Sequence, residues 1–405
     1  MAGAEARFDV AIAGGGPAGA AAGIALAGAG LRVLIADRRS THGAQDRAPF
    51  GESLPPSARS LLRDLGGLDE LLADGHRPSP GTLAFWGSDI GTANDFLFQV
   101  HGLGWQLDRI RFDAGLRRRA RAAGAELVES ASLHLDASDG GQSPFRCLLR
   151  SQDGATRRLS ADRLIDASGR SALLARHLGA ERIVHDRLLA FRLFLSSPSG
   201  TDRDGRTWVE ATEDGWWYSV LLATGERLIV LLGDADLLDR RTLLAGEALW
   251  RRLASAPHLH ALCRQHDYHP VGRVHGSPAG SVALDRAAGS NWLAVGDAAL
   301  AFDPLSSKGI ANALYTGLSA ARTVRAELAG DHQAGDRYAA HLNQIHQVYR
   351  QQLSAFYGLE QRWPEAPFWQ RRRQPAAPAV RADRSDRPGD DRADGAPLST
   401  VSGSA

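Results

Sequence analysis

A glycine-rich stretch near the start of the chain has the spacing of a dinucleotide-binding turn. It reads Gly-Gly-Gly-Pro-Ala-Gly over 14–19. Gly14 allows a tight turn, Gly16 lets a pyrophosphate approach the backbone, and Gly19 lets the next helix pack closely on its strand. Asp37 follows eighteen residues after Gly19, and its carboxylate can accept hydrogen bonds from both ribose hydroxyls of an adenosine. These residues together predict that the chain binds a dinucleotide.

Two further motifs place small and polar residues at predicted strand ends much later in the chain. Apolar residues lead into Asp-Ala-Ser-Gly-Arg at 166–170 and into Gly-Asp-Ala-Ala at 296–299. The Asp297 carboxylate can accept a hydrogen bond from a hydroxyl of a ribityl chain. The amides of Gly309 and Ile310 open a predicted helix, whose N-terminus stabilises negative charge on a reduced ring. Because the motifs spread over about 300 residues, they predict FAD, a long cofactor held by a fold with an inserted domain, rather than NAD.

The apolar pattern predicts the elements that carry these motifs. The run 8–13 suits a buried parallel strand, 18–29 a helix and 31–36 a second strand. Aromatic and β-branched residues alternate between 189 and 237, which indicates an inserted sheet. Apolar residues recur three and four apart over 338–356, which indicates one long amphipathic helix.

The sequence therefore predicts an α/β fold. It comprises a Rossmann-type FAD-binding domain, an inserted and mostly antiparallel sheet that forms a substrate domain, and C-terminal helices. The tail is poor in large apolar residues and is predicted to be disordered. The predicted boundaries are 8–85, 105–185 and 275–330 for the FAD-binding domain, 86–104 and 186–274 for the substrate domain, 331–372 for the C-terminal helical segment and 373–405 for the tail.

Composition argues against several classes of partner. Among 405 residues, 47 basic and 46 acidic side chains give a net charge of +1, so no overall field attracts nucleic acid or an anionic membrane. Two cysteines cannot form a disulfide framework and the N-terminus lacks a secretory signal, so we expect a cytoplasmic protein. The histidines of 258–269 lack the paired spacing of a structural zinc site, and we expect no metal. Every basic residue is arginine except Lys308.

Several longer stretches resemble one protein family. They are Gly51–Pro56, Phe85–Ser88, His101–Asp113, Gly215–Ser219, Phe302–Ser307 and Arg362–Trp369. From Phe8 to Arg372 the chain is similar to FAD-dependent monooxygenases with the p-hydroxybenzoate-hydroxylase fold, which include aromatic hydroxylases, geranylgeranyl reductases and halogenases. Within that family it resembles the halogenase-like flavoprotein maturases, which hydroxylate tryptophan in partner polypeptides during the biogenesis of quinone cofactors.

The resemblance implies where cofactor and substrate bind. It implies that the inserted sheet covers the substrate cavity, where Trp216, Trp217 and Tyr218 would stack on an indole, although core packing accounts for these rings equally well. It also implies a set of cofactor-binding residues, to which we add neighbouring positions of the same motifs. The set is Gly14, Gly16, Gly19, Asp37, Arg111 and Asp297, and the additions are Pro17, Ala18, Arg38, Gly309 and Ile310.

The implied reaction is hydroxylation of an electron-rich aromatic ring through a flavin C4a-hydroperoxide. The expected substrate is a tryptophan or indole in a peptide or partner protein, with a free aromatic small molecule as the alternative. The protein has to exclude water, orient the ring and accept a proton. Glu52 and Asp303 are the expected catalytic carboxylates, and Glu52 ranks first because its loop should lie over the flavin. The alternative explanation for each carboxylate is structural, as a helix cap or an arginine partner, and carboxylates often serve those roles.

Two alternative functions stay open, and so does the source of electrons. Halogenases of this family carry a lysine in the substrate pocket, shortly before the Phe85–Ser88 stretch, where this chain has none. A non-catalytic flavoprotein that escorts its partner is the second alternative. The motif at 166–170 resembles that of halogenases more than that of hydroxylases that use NADPH. We therefore expect a separate flavin reductase as partner, with NAD(P)H acting directly as the alternative.

Overall fold

The structure is a computed structural model that describes residues 6–40, 52–96, 100–136, 141–373 and 380–381. Its helices are α1 (Pro17–Ala27), α2 (Ala58–Asp64), α3 (Leu68–Ala73), α4 (Arg109–Ala122), α5 (Leu173–His177), α6 (Arg240–Leu244), α7 (Glu247–Arg252), α8 (Pro257–Gln265), α9 (Gly309–Leu328), α10 (Ala334–Gly358) and α11 (Pro367–Arg373). Its strands are β1 (Ala6–Ala13), β2 (Val33–Asp37), β3 (Ser53–Leu54), β4 (Arg77–Ser79), β5 (Gly81–Phe85), β6 (Thr92–Asp95), β7 (Gly104–Gln106), β8 (Glu126–Glu129), β9 (Ala131–Leu135), β10 (Phe145–Ser151), β11 (Thr156–Asp166), β12 (Arg182–Val184), β13 (Leu188–Ser196), β14 (Thr207–Thr212), β15 (Gly215–Leu221), β16 (Arg227–Asp234), β17 (His269–Pro278), β18 (Val282–Leu284), β19 (Ala288–Gly289), β20 (Trp292–Ala294), β21 (Leu300–Ala301) and β22 (Val380–Arg381).

An eight-stranded sheet carries the glycine-rich turn. Its central strands β20, β11, β1, β2 and β8 run parallel, and β9, β10 and β19 add antiparallel pairs. Strand β2 is buried along its whole length and β1 is buried from Val10 to Ala13, because both faces of the sheet are covered there. Helix α1 also packs against α9, where a Cβ added at Gly317 would lie 2.3 Å from the carbonyl oxygen of Ala18. Small residues therefore set this close approach of the two helices.

A seven-stranded sheet forms the second layer, in the order β17-β13-β16-β15-β14-β5-β6. All its pairs are antiparallel except β14 with β5. One face packs on helices α6 to α8, and the other packs on the C-terminal helices α10 and α11 through Tyr357, Phe368 and Trp369. The predicted α/β fold class, with its inserted and mostly antiparallel sheet and C-terminal helices, is therefore confirmed.

Two details of the predicted organisation differ in the structure. Strand β5 was assigned to the FAD-binding segment 8–85, but it pairs in parallel with β14 and so belongs to the inserted sheet, and β17 extends that sheet beyond residue 274. In the tail predicted to be disordered, Val380–Arg381 form a short strand because their backbone pairs with β12. Residues 374–379 and 382–405 of that tail lie outside the described residues.

Candidate active site

A cavity of about 650 Å³ lies between the eight-stranded and seven-stranded sheets. One part of its wall consists of the ends of β1 and β2 and the N-terminus of α1. Another part consists of the N-terminus of α9 and one face of β14 and β15. The predicted cofactor residues in this wall are Gly14, Gly16, Pro17, Ala18, Asp37, Arg38, Asp297, Gly309 and Ile310. The structure therefore brings together three motifs that are far apart in sequence.

The glycine-rich turn has the tight geometry that its sequence predicts. Gly14 has φ +107°, and a Cβ added there would lie 2.2 Å from the carbonyl oxygen of Ala167. Gly19 does not line the cavity, because it lies against the turn itself, where an added Cβ would lie 1.9 Å from the carbonyl oxygen of Gly14. Only glycine allows this packing, and the absence of side chains leaves the backbone amides at the start of α1 accessible to a ligand.

Asp37 ends β2 with its carboxylate buried in a cluster of arginines. Its Oδ1 accepts a hydrogen bond from the backbone N–H of Arg39 at 3.0 Å, and its Oδ2 lies 3.2 Å from Arg39 Nη2 and 3.4 Å from Arg117 Nη1. Arg39 also pairs with Asp113 at 3.1 Å and lines the cavity. Sequence reasoning missed Arg39 and assigned only Arg38, the other half of the Arg-Arg pair.

Arg111, expected to bind the cofactor, lies elsewhere, and Arg109 occupies the cavity wall instead. The Arg111 guanidinium donates to the carbonyl oxygen of Asp74 at 2.6 Å on the exposed side of α4. Arg109 is buried, lines the cavity and pairs with Asp113 at 3.2 Å. Residues two apart on a helix point to nearly opposite sides, so only one of the two arginines can face the cavity. The structure therefore does not support Arg111 as a cofactor residue, and Arg109 is the arginine of this helix that lines the cavity.

The second strand-end motif is fixed by Arg170. Its guanidinium donates to the carbonyl oxygens of Phe302 at 3.2 Å and Ala279 at 3.4 Å, and also to that of Gly280. Its Nε lies 3.6 Å from Asp297 Oδ2. Arg170 therefore joins three loops around the cavity and orients Asp297 toward its interior.

The aromatic wall contains two of the three predicted rings. Trp216 and Tyr218 face the cavity, whereas Trp217 is fully buried against the helices on the opposite face of the sheet. Successive side chains of a strand point to opposite faces, so Trp217 cannot line the cavity together with its neighbours. The expectation that Trp217 contacts substrate is wrong. Trp216 is held by a hydrogen bond from its indole Nε1 to the hydroxyl of Tyr357 at 3.1 Å.

Glu52 lies in the cavity wall next to Tyr218. The Tyr218 hydroxyl donates to Glu52 Oε2 at 3.1 Å. Burial raises the pKa of Glu52 above its ordinary range, and the positive charges of Arg109 and Arg192 partly offset that rise. Arg192 is itself buried on β13, and its Nη1 has no hydrogen-bond partner among the residues that the structure describes. Glu52 is therefore a buried carboxylate that faces the cavity and, among the residues that the structure describes, caps no helix and forms no direct salt bridge.

Asp303 also lines the cavity but has structural partners. Its Oδ1 accepts from the backbone N–H of Leu305 at 2.9 Å and its Oδ2 from the Tyr357 hydroxyl at 2.8 Å. Burial, with a smaller effect of the nearby Asp186 charge, raises the pKa of Asp303 to about 6. The cap at the following 3-10 turn, Pro304–Ser306, accounts for this carboxylate, as the alternative explanation expected.

Two further features bear on which chemistry the cavity can support. Lys308, the one lysine of the chain, is exposed, does not line the cavity, and donates from Nζ to Gln352 Oε1 at 3.0 Å. Among the described residues, no group of three or more His, Cys, Asp or Glu side chains is placed to hold a metal ion. Within the same residues, no helix is long and apolar enough to cross a membrane.

The residues present fit FAD. The bare backbone of Gly14 and Gly16 and the N-terminus of α1 lie in the cavity wall, which suits a pyrophosphate. The N-terminus of α9 opens into the same cavity, and a Cβ added at Gly309 would meet nothing within 4 Å. An elongated cofactor can therefore extend from Asp37 to Gly309 with backbone amides at both its phosphate and its ring.

Comparison with known proteins agrees with this geometry. Residues 7–341 match a family model described as an FAD binding domain. The putative FAD-dependent oxidoreductase LodB of Marinomonas mediterranea is 30% identical over 373 residues, which are 90% of this chain and 96% of LodB.

Two solved structures show the same fold. The myxobacterial chondrochloren halogenase CndH has a TM-score of 0.81 at 23% identity and covers 91% of this chain and 86% of its own. The peptidyl tryptophan dihydroxylase QhpG, essential for tryptophylquinone cofactor biogenesis, has a TM-score of 0.71 at 26% identity. The match covers 91% of this chain and 79% of QhpG. The chain thus belongs to the FAD-binding domain family of flavin-dependent halogenases and monooxygenases, and it is a flavin-dependent enzyme.

Proposed function

We propose that this enzyme is an FAD-dependent monooxygenase that hydroxylates the indole ring of a tryptophan in a peptide or partner protein. The observation that carries the proposal is the composition of the cavity wall. Trp216, Tyr218 and the buried carboxylate of Glu52 share one wall, and no lysine lies there. The similarity to a peptidyl tryptophan dihydroxylase supports the choice of substrate.

The residues of the cavity wall indicate which part of FAD each end of the cavity would bind. We assign the adenosine and pyrophosphate to the end with Gly14, Gly16 and Asp37, and the flavin ring to the end with Asp297 and Gly309. Bound FAD, once reduced and exposed to oxygen, supplies an electrophilic oxygen atom to the substrate. The protein stacks the indole between aromatic side chains, excludes water and keeps the ring in line with that oxygen.

Glu52 is the proposed proton acceptor. When one oxygen atom of O2 adds to the ring, a carbon–oxygen bond forms and the oxygen–oxygen bond breaks; the second oxygen atom ends as water, with two electrons that the reduced flavin would supply. The ring carbon that gains the oxygen must then lose its hydrogen as a proton. The Glu52 carboxylate can take that proton while the Tyr218 hydroxyl, 3.1 Å from Oε2, fixes its orientation. Arg109 and Arg192 favour the ionised form that this role requires.

Halogenation is the second candidate function, and the likeness of the fold to CndH favours it. The resemblance to halogenases implies a lysine in the substrate pocket, however, and this chain offers only Lys308. That side chain is bound to Gln352 outside the cavity wall. Hydroxylation needs no ammonium group, so we rank it first.

Product mass separates these functions. The flavin-loaded protein is supplied with a flavin reductase, NADH, oxygen, chloride and bromide, and a tryptophan-containing peptide. We expect the peptide to gain the mass of one or two oxygen atoms, and Glu52→Gln to slow this gain. Replacement of hydrogen by chlorine or bromine would assign the enzyme to the halogenases. No oxygen-dependent product with any indole substrate would leave a non-catalytic flavoprotein that escorts its partner.

A further inference from the structure

Three apolar side chains, Trp86, Phe356 and Leu359, form a surface that we call the apolar patch. Phe356 is 59% exposed and Leu359 61%, while Trp86 is half-buried. Large apolar side chains that are exposed next to one another are a common feature of binding surfaces. Neither the cofactor nor the catalytic carboxylates account for the patch.

Direct contacts hold the two segments of the apolar patch together. The Trp86 indole Nε1 donates to the carbonyl oxygen of Phe356 at 2.9 Å. A Cβ added at Gly87 would lie 2.6 Å from the carbonyl oxygen of Leu359, so the two backbones touch. Phe356 and Leu359 are three residues apart at the end of α10 and therefore project from one side of the chain. The patch is thus one continuous surface of the folded protein.

The apolar patch borders the substrate end of the cavity. The Trp86 ring meets the ring of Trp216 edge-on with centroids 6.2 Å apart, and Trp216 lines the cavity. On the other side, Lys308 follows the cavity residue Ser307 and contacts Gln352, one helical turn before Phe356. One aromatic contact therefore separates the patch from the cavity wall.

The surroundings of the apolar patch define the chemistry of its occupant. Arg362 pairs with Glu360 at 2.7 Å and with Asp89. The remaining negative charge of this group is balanced by Lys308, which contacts Gln352 one helical turn before Phe356. The exposed residues Gln351 and Gln352 on α10 carry no charge. The surface therefore offers apolar contacts and amide groups and no net charge to attract an ionic partner.

We infer that the apolar patch docks an uncharged, apolar stretch of the polypeptide that carries the target tryptophan. This inference rests on the proposed function, because only a peptidyl substrate has a chain that must continue outside the cavity. The ring centroids of Trp216 in the cavity wall and Trp86 in the patch lie 6.2 Å apart, which about two residues of extended chain span. The contacting side chains should therefore lie about two to five residues from the target.

The test compares substrates of two lengths on two matched double variants. Phe356→Ser with Leu359→Ser removes the exposed part of the apolar patch. The control, Leu72→Ser with Leu328→Ser, removes two leucines of similar exposure, one on α3 and one at the far end of α9. The substrates are N-acetyl-tryptophanamide, which fills only the cavity, and a tryptophan peptide with apolar residues at the flanking positions.

We expect the patch variant to raise KM for the long peptide about tenfold, with kcat unchanged, because two apolar contacts are lost. The short substrate should react equally with both variants and the parent. Anisotropy of the labelled long peptide on the oxidised, flavin-loaded protein should show the same loss of affinity without turnover.

Three outcomes would overturn the inference. Equal KM and binding of the long peptide for both variants would reject the docking surface while leaving the proposed function intact, provided the short substrate is hydroxylated. A change of solution mass in the patch variant alone would show that the apolar patch joins two copies of the chain instead. Failure of every protein to hydroxylate either substrate would reject the proposed function and the docking surface with it.

Discussion

Glu52 and Asp303 are both buried carboxylates in the cavity wall, and their neighbours give them different properties. Asp303 is bound by the Leu305 amide and the Tyr357 hydroxyl, which fixes a turn. Glu52 has a tyrosine hydroxyl on one oxygen and arginine charges nearby. A carboxylate held near cations without a direct salt bridge can take up and release a proton during a reaction. This difference supports Glu52 over Asp303 as the proton acceptor.

The pH dependence of hydroxylation should report the state of Glu52. If its ionised form is required, the rate falls as pH falls through the folded pKa, which burial raises and Arg192 lowers. Arg192→Met should therefore move the acid limb of the kcat profile to higher pH, and Arg192→Lys should largely restore it. Glu52→Gln should lower kcat roughly 10²- to 10⁴-fold and abolish the limb. An acid limb that is the same in Arg192→Met and the parent would contradict this assignment.

Asp303 should affect stability in the opposite direction from an ordinary salt-bridged acid. Its pKa of about 6 in the folded chain exceeds its ordinary value of 3.8. Between these values the folded protein keeps a proton that the unfolded chain has lost, so stability from this group falls as pH rises. Relative to the parent, Asp303→Asn should gain up to about 3 kcal/mol between pH of about 4 and about 7.

Urea unfolding at both pH values measures this gain. Asp95→Asn on the exposed strand β6 makes the same change of charge and serves as the control. A parent and an Asp303→Asn variant whose stabilities change in parallel with pH would show that Asp303 keeps its ordinary pKa.

Two errors at the residue scale show what a motif does and does not specify. The family resemblance located the segment with Arg109 and Arg111 but not the rotation of its helix about its axis. Asp108 caps α4 through the Arg111 amide at 3.0 Å, and Asp113 follows Arg109 by four residues, so the sequence did hold a signal for the buried arginine. Likewise, strict alternation along β15 already excludes Trp217 once Trp216 faces the cavity.

At the scale of elements, the glycine-rich turn and its helix were predictable because their constraints are local. Predicted strands at 8–13 and 31–36 correspond to β1 and β2, and the predicted helix at 18–29 to α1. The placement of β5 beside β14 depends on residues more than a hundred positions apart, and no local pattern contains it. The same holds for Arg192, because its approach to Glu52 also joins residues more than a hundred positions apart.

The turn at Gly14 makes a prediction about cofactor binding. Gly14→Ala forces an L-residue into φ +107° and drives its Cβ into the carbonyl of Ala167. Backbone strain of this kind costs on the order of 1–3 kcal/mol, so flavin affinity should fall at least about tenfold. Titration of the apoprotein with FAD, followed by flavin fluorescence, measures the change.

Gly30→Ala is the matched control for this substitution. Gly30 also has a positive φ, +86°, but an added Cβ would meet nothing within 4 Å and the residue does not line the cavity. This variant should lose some stability and bind FAD like the parent. Equal FAD affinity of Gly14→Ala and Gly30→Ala would mean that the turn does not contact the cofactor.

At the scale of the whole molecule, the proposed function places cofactor and substrate in one cavity between two sheets. A second cavity has only about 250 Å³ and is lined by short and apolar side chains with Asp64, Arg322 and Arg325, which is little room for another dinucleotide. The polar side chains of the 166–170 turn already have partners within the protein. Asp166 accepts from the amides of Ser168 and Ala175, and Arg170 donates to three carbonyl oxygens, so neither side chain is left to bind a nicotinamide cofactor.

We therefore predict that electrons arrive on reduced flavin from a separate reductase. Under anaerobic conditions, NADPH or NADH alone should leave the flavin-loaded protein yellow, and addition of a flavin reductase with NADH should bleach it. The reductase alone, with free FAD, controls for its own activity. Rapid bleaching by NADPH without a reductase would show that the enzyme accepts hydride directly.

Because Lys308 is the one lysine of the chain, it can be labelled selectively. An amine-selective dye or resin can react with only this side chain and the N-terminal amine, and Lys308 stands at the rim between cavity and α10. If the apolar patch docks the substrate chain as proposed, a fluorophore attached there would sit beside the docked polypeptide, and its emission would follow docking in real time. Immobilisation through the same amine, by contrast, would turn the apolar patch toward the support and block it.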